Sequence, residues 1–357
     1  MRHVCLLILL ASSLVSCRSS DSPPPQTSQP NAASFKSPGT PLPRSGDEIM
    51  VCGQLFHTGA PVVLWTDPGG YDAYRTDRRF APYDQADWES TQAAVKGIGS
   101  PNRYNMRYTA SPAPAVGSNF LLSKEELERA RAGWDIRDLR QRVDQFVYHY
   151  DVAGTSRTCF MILHDIRGLS VHFMLDLDGT IYQTLDLKER AWHATTSNTR
   201  SVGIEIANMG AYPTRANNAL SEWYAKDAEG HTIIHIPARY NGGGIRDKSA
   251  VLKPARDEII KGLVQGRTYF QYDLTPQQYD SLIKLTAALC TIFPNMKCDY
   301  PRDGDGKLIT SKLPDEVLGN YQGLLGHFHV QKDKQDPGPA FDWDRIISGA
   351  QRLMSKR

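Results

Sequence analysis

Long hydrophobic runs are absent from this chain. The apolar run from Val4 to Val15 is too short to span a bilayer as a helix, which needs about 20 residues; behind Met1-Arg2-His3 it has the layout of a secretory signal. Charge of one sign is lacking too. With 41 Lys+Arg against 39 Asp+Glu, a formal charge of +2 and no basic run or stripe, the chain offers nothing to a nucleic acid. No CxxC occurs among the six cysteines, which argues against a thiolate zinc site. Between Arg18 and about Gly46 there is hardly a large apolar side chain. Such a segment cannot bury enough surface to offset its ordering entropy, and its prolines favour an extended tether.

What is present divides the chain. Leu14-Val15-Ser16-Cys17 resembles the lipobox at which bacterial lipoproteins are cleaved and acylated. That likeness implies a signal peptide over residues 1–16, lipidation of Cys17 and a tether over 17–46. An aspartate following the cysteine marks inner-membrane retention in such proteins; Arg18 stands there instead, so the resemblance points to the periplasmic face of the outer membrane. Cys52, Cys159, Cys290 and Cys298 remain. In an exported compartment a disulfide is plausible, and Cys290 with Cys298 is the pair nearest in sequence, but spacing leaves the connectivity open.

Ser123 with Glu126 forms a capping-box signature for a helix running to Gln141. The aromatic and β-branched segment Gln145–Tyr150 predicts a strand, two more flank the turn Asp178-Gly179 between Ser170 and Tyr182, and Ser201–Ile206 predicts another. Thr275, Pro276 and Gln278 open a second helix, with Tyr279, Leu282, Ile283, Leu285, Ala288 and Leu289 at helical spacing. Strands and helices therefore alternate, which predicts a single α/β domain with a mixed central sheet flanked by helices. Residues 47–122 form an N-terminal extension without a function legible in the sequence; Val62-Val63-Leu64-Trp65 reads as a strand. His57 and Trp65 suit packing better than a cell-wall contact. Residues 212–271, with Gly242-Gly243-Gly244, read as an irregular insertion.

A zinc hydrolase needs three ligands from imidazole and carboxylate, an open position for water, and a base nearby. His149 within a strand, His327 after Leu324-Leu325-Gly326, and Asp336 opening Asp336-Pro337-Gly338-Pro339 make one such set. Composition and spacing alone do not select it from other His and Asp residues. Order along the chain does. Phe146–His149, Ser170–Gln183, Arg190-Ala191-Trp192-His193-Ala194, Ser201–Glu205, Gly326-His327 and Asp336–Trp343 follow one another in a pattern that resembles the type-2 N-acetylmuramoyl-L-alanine amidases, relatives of the peptidoglycan recognition proteins.

The resemblance covers roughly residues 140–350 and places the catalytic domain at 123–350. It implies that His149, His327 and Asp336 hold Zn2+, that Glu205 is the catalytic carboxylate, and that Lys334 faces the developing oxyanion. Trp192, His172 and His193 fall on motifs that line or support the cleft and bind substrate. His164 and His329 are lesser candidates for the metal. The implied reaction is hydrolysis of the amide between N-acetylmuramic acid and L-alanine in peptidoglycan or muropeptides. A binding module that keeps the fold without catalysis is the competing reading, and a structural lipoprotein a third. The insertion has no counterpart in the pattern and is expected beside the cleft, where long loops commonly set specificity.

Overall fold

The computed structural model describes residues 38–75, 77–87, 104–106 and 135–356. The signal segment, Cys17, most of the tether and the Ser123 capping box lie outside them. The elements that position the site are β1 (Val62–Leu64), α1 (Ile136–Arg142), β2 (Gln145–Tyr150), α2 (Ser156–Phe160), β3 (Phe173–Leu175), β4 (Ile181–Gln183), β5 (Ser201–Ile206), β6 (Ile260–Val264), β7 (Arg267–Gln271), α3 (Pro276–Ile292), β8 (Gly323–Gly326), α4 (His327–Val330) and α5 (Trp343–Met354).

Six strands form one sheet in the order β8-β2-β5-β3-β4-β1. Every neighbouring pair is parallel except β3 with β4, which is antiparallel across the Asp178-Gly179 turn. The mixed sheet matches the sequence expectation, and one more strand joins it. Val62–Leu64, from the extension whose role could not be read, pairs with β4 at the edge. His57 there bonds Asp47 at 2.8 Å, and Trp65 packs on the Tyr74 ring.

β2 is buried along its whole length, so its alternation separates two covered faces rather than core from water. Phe146 and Tyr148 point to one side, with Phe173, Leu175, Val202, Ile204 and Leu324. There they meet Tyr279, Leu282, Leu285 and Leu289 of α3 and Ile346 and Ile347 of α5. α3 starts where its cap predicts: Gln278 N–H donates to Thr275 Oγ1 at 3.0 Å, and Thr275 N–H donates to Gln278 Oε1 at 2.9 Å. α1 falls at the end of the helix expected from Ser123 to Gln141, whose start lies outside the described residues. Asp135 caps it in extended conformation, accepting from the N–H groups of Arg137 and Asp138, which fixes a helix start at Ile136.

The insertion is not irregular. It contains a helix at Asn218–Trp223, a hairpin of Tyr224–Lys226 with Thr232–Ile234, and the hairpin β6–β7. A separate apolar cluster around Trp223 includes Leu220, Tyr224, Ile234, Ile245 and Met209. Elements of three to six residues carry too little periodicity to be read in sequence. The four described cysteines, Cys290 and Cys298 among them, are free thiols. Among the described residues, no helix is long and apolar enough to cross a membrane.

Candidate active site

Strand register assembles the site. In the parallel pair β2–β5, His149 lies directly beside Glu205, and in β8–β2, Gly326 lies beside Tyr148. Paired residues of parallel strands share a face, so His149 and Glu205 point the same way, opposite to Tyr148. His327 is the first residue beyond β8 and therefore comes alongside His149. The three positions lie at the carboxyl ends of adjacent parallel strands, where open α/β sheets keep their ligand clefts.

Asp336 completes the group from the following loop. His149 Nδ1 is 3.0 Å from His327 Nδ1 and 2.9 Å from Asp336 Oδ2, and His327 Nδ1 is 3.0 Å from the same oxygen. All three residues are buried. The outer nitrogens point elsewhere: His327 Nε2 faces Gln331 Oε1 at 2.6 Å, and His149 Nε2 faces His193 Nδ1 at 3.0 Å. With a cation present, the Nδ1 lone pairs and a carboxylate oxygen converge while outer partners fix the ring orientations, as metal-binding histidines require. Two nitrogens and one oxygen fit zinc with a fourth position open.

Charges reinforce the picture. Burial and the facing His327 ring push His149 down to about 4, favouring the neutral ring that a metal needs. Burial works to raise the Asp336 carboxyl, but the His327 and His149 rings outweigh it and hold it well below the usual carboxylate range. Glu205 goes the other way: burial, then the Asp336 charge, raises it well above its ordinary value. Its Oε2 is buried and has no hydrogen-bond partner among the described residues. A buried oxygen without a partner is costly unless something else uses it.

The group opens into a cleft of about 540 Å3 lined by Tyr150, Ile162, Leu163, Arg167, Trp192, His193, Lys334 and others, the size of a small-ligand site. The structure thus brings together His149, His327, Asp336, Glu205, Lys334, Trp192 and His193. His193 stands behind His149 rather than in the metal group: its Nδ1 meets His149 Nε2, and its Nε2 lies 3.2 Å from Ser201 Oγ. Gly203 makes room for it, since a Cβ there would lie 2.5 Å from the His193 ring.

His172 is a correction. Its ring is fully buried, Nδ1 accepts from Gly203 N–H at 3.1 Å and Nε2 donates to the Glu189 carbonyl at 2.9 Å, so it braces β5 and does not bind substrate. His164 is held by Asp165 and the Arg75 carbonyl, and His329 by Gly326 N–H and the Ile309 carbonyl. Neither joins the metal group. No residue of the insertion 212–271 lines the cleft. Sequence reading missed Gln331 and Asp151. Gln331 stands four residues after His327, a helical spacing that signals contact. Asp151 lines the cleft, with burial raising it to about 7 against three backbone N–H donors, from Asn208, Ala153 and Gly154.

A dry carboxyl of raised affinity for protons, beside a convergent donor set and a cation in one cleft, is the equipment of a hydrolase that activates water. A family model described as N-acetylmuramoyl-L-alanine amidase matches residues 139–339. That is more than half of the chain, so the chain belongs to this family and is an enzyme of that class. Among solved structures, the amidase AmiD from E. coli, in complex with anhydro-N-acetylmuramic acid-L-Ala-D-gamma-Glu-L-Lys, is 18% identical with a TM-score of 0.33, covering 58% of this chain and 57% of that one. AmpDh3 from Pseudomonas aeruginosa, in complex with anhydromuramic pentapeptide, is 15% identical with a TM-score of 0.33 and 66% coverage of each chain. The endolysin amidase LysCS from Clostridium intestinale URNW is 17% identical with a TM-score of 0.30, covering 60% of this chain and 86% of that one. No curated protein matches. At these scores the assignment rests on the family model.

Proposed function

We propose that this amidase is zinc-dependent and cuts the amide between the lactyl carbonyl of N-acetylmuramic acid and the L-alanine of the stem peptide. The observation that carries the reading is the convergence of His149 Nδ1, His327 Nδ1 and Asp336 Oδ2 within 3.0 Å of one another, next to Glu205, whose buried Oε2 has no partner among the described residues. His149, His327 and Asp336 would hold the ion, which supplies a Lewis acid and makes water acidic enough to ionise near neutral pH.

The protein's own groups do the rest. Glu205 takes a proton from the attacking water and delivers it to the departing nitrogen. The carbon–nitrogen bond then breaks, leaving a lactyl carboxylate and a free L-alanine amine. Burial and the nearby Asp336 charge raise the pKa of Glu205, and its Oε2 has no competing partner among the described residues, which suits a group that takes and returns a proton. Lys334, half-buried on the cleft wall, offsets negative charge growing on the carbonyl oxygen. His193, backed by Ser201, keeps the His149 ring oriented. Trp192, Ile162 and Leu163 offer apolar surface to the substrate.

The lipobox-like segment ending at Cys17 supports an exported enzyme anchored through a lipid on that cysteine, with the 17–46 tether reaching to the wall. Mass spectrometry of purified muropeptides incubated with the enzyme tests the reaction. Free stem peptide with an L-alanine amino terminus is expected, released by the parent and not after chelation. Muropeptide that binds and is recovered intact would establish a recognition module instead.

A further inference from the structure

The insertion hairpin β6–β7 backs the loop that carries the metal group, at three points along its length. Gly262 of β6 lies against Pro339, where a Cβ would stand 2.6 Å from the proline side chain. Gln271 of β7, 1% exposed, donates from Nε2 to the Pro337 carbonyl at 3.0 Å and accepts on Oε1 from Ala340 N–H at 3.0 Å. The third point is the hairpin turn itself. Gln265 there faces three backbone carbonyls with one amide nitrogen: Phe328 at 2.9 Å, Gln331 at 3.0 Å and Lys334 at 3.2 Å.

Of those oxygens, that of Gln331 also accepts from Lys334 N–H at 3.3 Å. α4 is a single turn, so its last carbonyls have no continuing helix to satisfy them. The segment joins His327 to Asp336 with Lys334 between. Gln265 is itself held, its Oε1 accepting from Lys312 N–H at 3.1 Å and its N–H donating to the Thr310 carbonyl at 2.8 Å. Its backbone sits at φ 52, with Gly266 at φ 71, a two-residue turn that favours Asn or Gly in the first place. A glutamine in that conformation costs backbone energy, which its side-chain bonds offset.

We propose that Gln265 is a positioning residue for this active site: through the three carbonyls it fixes the span between His327 and Asp336 and the direction of Lys334. The inference rests on the reading of His149, His327 and Asp336 as a zinc site. It gives the insertion a part in the chemistry although it does not line the cleft.

Two variants of the full chain test it. Gln265→Gly relieves the turn while removing the side chain, so it is expected to fold, and Gln265→Leu keeps the bulk without the hydrogen bonds. Zinc affinity by chelator competition should fall about 10- to 100-fold in both, as for other groups that orient metal ligands, and kcat should fall more than KM rises. Hydrogen exchange on metal-free protein supplies a readout independent of zinc. The amides of Phe328, Gln331 and Lys334 should exchange faster in the variants, while those of β2 and β5 stay as in the parent. Unchanged exchange there would overturn the proposal. Faster exchange with parental zinc affinity and kcat would overturn it as well, leaving Gln265 a structural bond only. A parent that binds no zinc would instead sink the metal reading, with the exchange data still deciding whether Gln265 holds the loop.

Discussion

The two faces of the central sheet are built from the same strands, and one of them carries the polar groups of the cleft. On one, Phe146, Tyr148, Val202, Ile204 and Leu324 meet α3 and α5 in a continuous apolar cluster. On the other, the alternate residues of the same strands are Gln145, Val147, His149, Ser201, Gly203 and Glu205; Val147 packs in a smaller apolar cluster with Leu325 and Ala194, while His149 and Glu205 reach a cleft. One face is packed to hold the strands in register; the other uses that register to bring His149 beside Glu205. Stability and chemistry are thus separated by a period of two along each strand. A buried carboxyl with a partnerless oxygen is tolerable on the second face because the first supplies the stability.

The comparison breaks most visibly at Glu205. Glu205→Gln should lower kcat by about 10^2- to 10^4-fold, the range for a general acid–base group, with Tm unchanged or raised because a buried ionisable group is removed. Steady-state kinetics beside a thermal scan decide it, and a variant that unfolds would deny the separation. The converse is Leu282→Ala on α3, fully buried in the apolar cluster. Urea unfolding should show a loss of about 2–5 kcal/mol, with activity per folded molecule retained.

Gly203→Ala probes the meeting of the two faces at β5. Its added Cβ would stand 2.5 Å from His193, pushing that ring away from His149. Zinc affinity should drop about tenfold, read by competition with a chelator, while far-ultraviolet circular dichroism stays parental.

The smallest effect is expected away from both faces, at Glu48 in the N-terminal hairpin. Burial works to raise Glu48, and the backbone N–H groups of Ser45 and Gly46 outweigh it, lowering its pKa from 4.5 to about 2. A carboxyl depressed in the folded state contributes stability that is present above 4.5 and is lost as pH falls toward 2. Glu48→Gln should flatten urea midpoints across that interval and leave activity at neutral pH untouched.

Much of this contrast was legible in the sequence. Gln145–Tyr150 and Ser201–Ile206 announce strands by composition, and Thr275-Pro276 with Gln278 announces α3, because strand patterning and helix caps are local properties. The grouping of His149, Glu205, His327 and Asp336 came from the order of motifs and not from their spacing, since residues 149 and 336 meet only through strand register. What stayed hidden depends on tertiary contact. Val62–Leu64 reveals nothing of the strand it will pair with, His172 is turned to the backbone by its neighbours on β5, and Gln265 means nothing until the hairpin lies against the ligand loop.

Metal stoichiometry tests the central claim most directly, measured on the parent, His327→Ala and Glu205→Gln purified alike and dialysed against zinc. The account predicts about one zinc per chain in the parent and in Glu205→Gln, and its loss from His327→Ala. Equal zinc in His327→Ala and the parent would place the ion elsewhere and contradict the account.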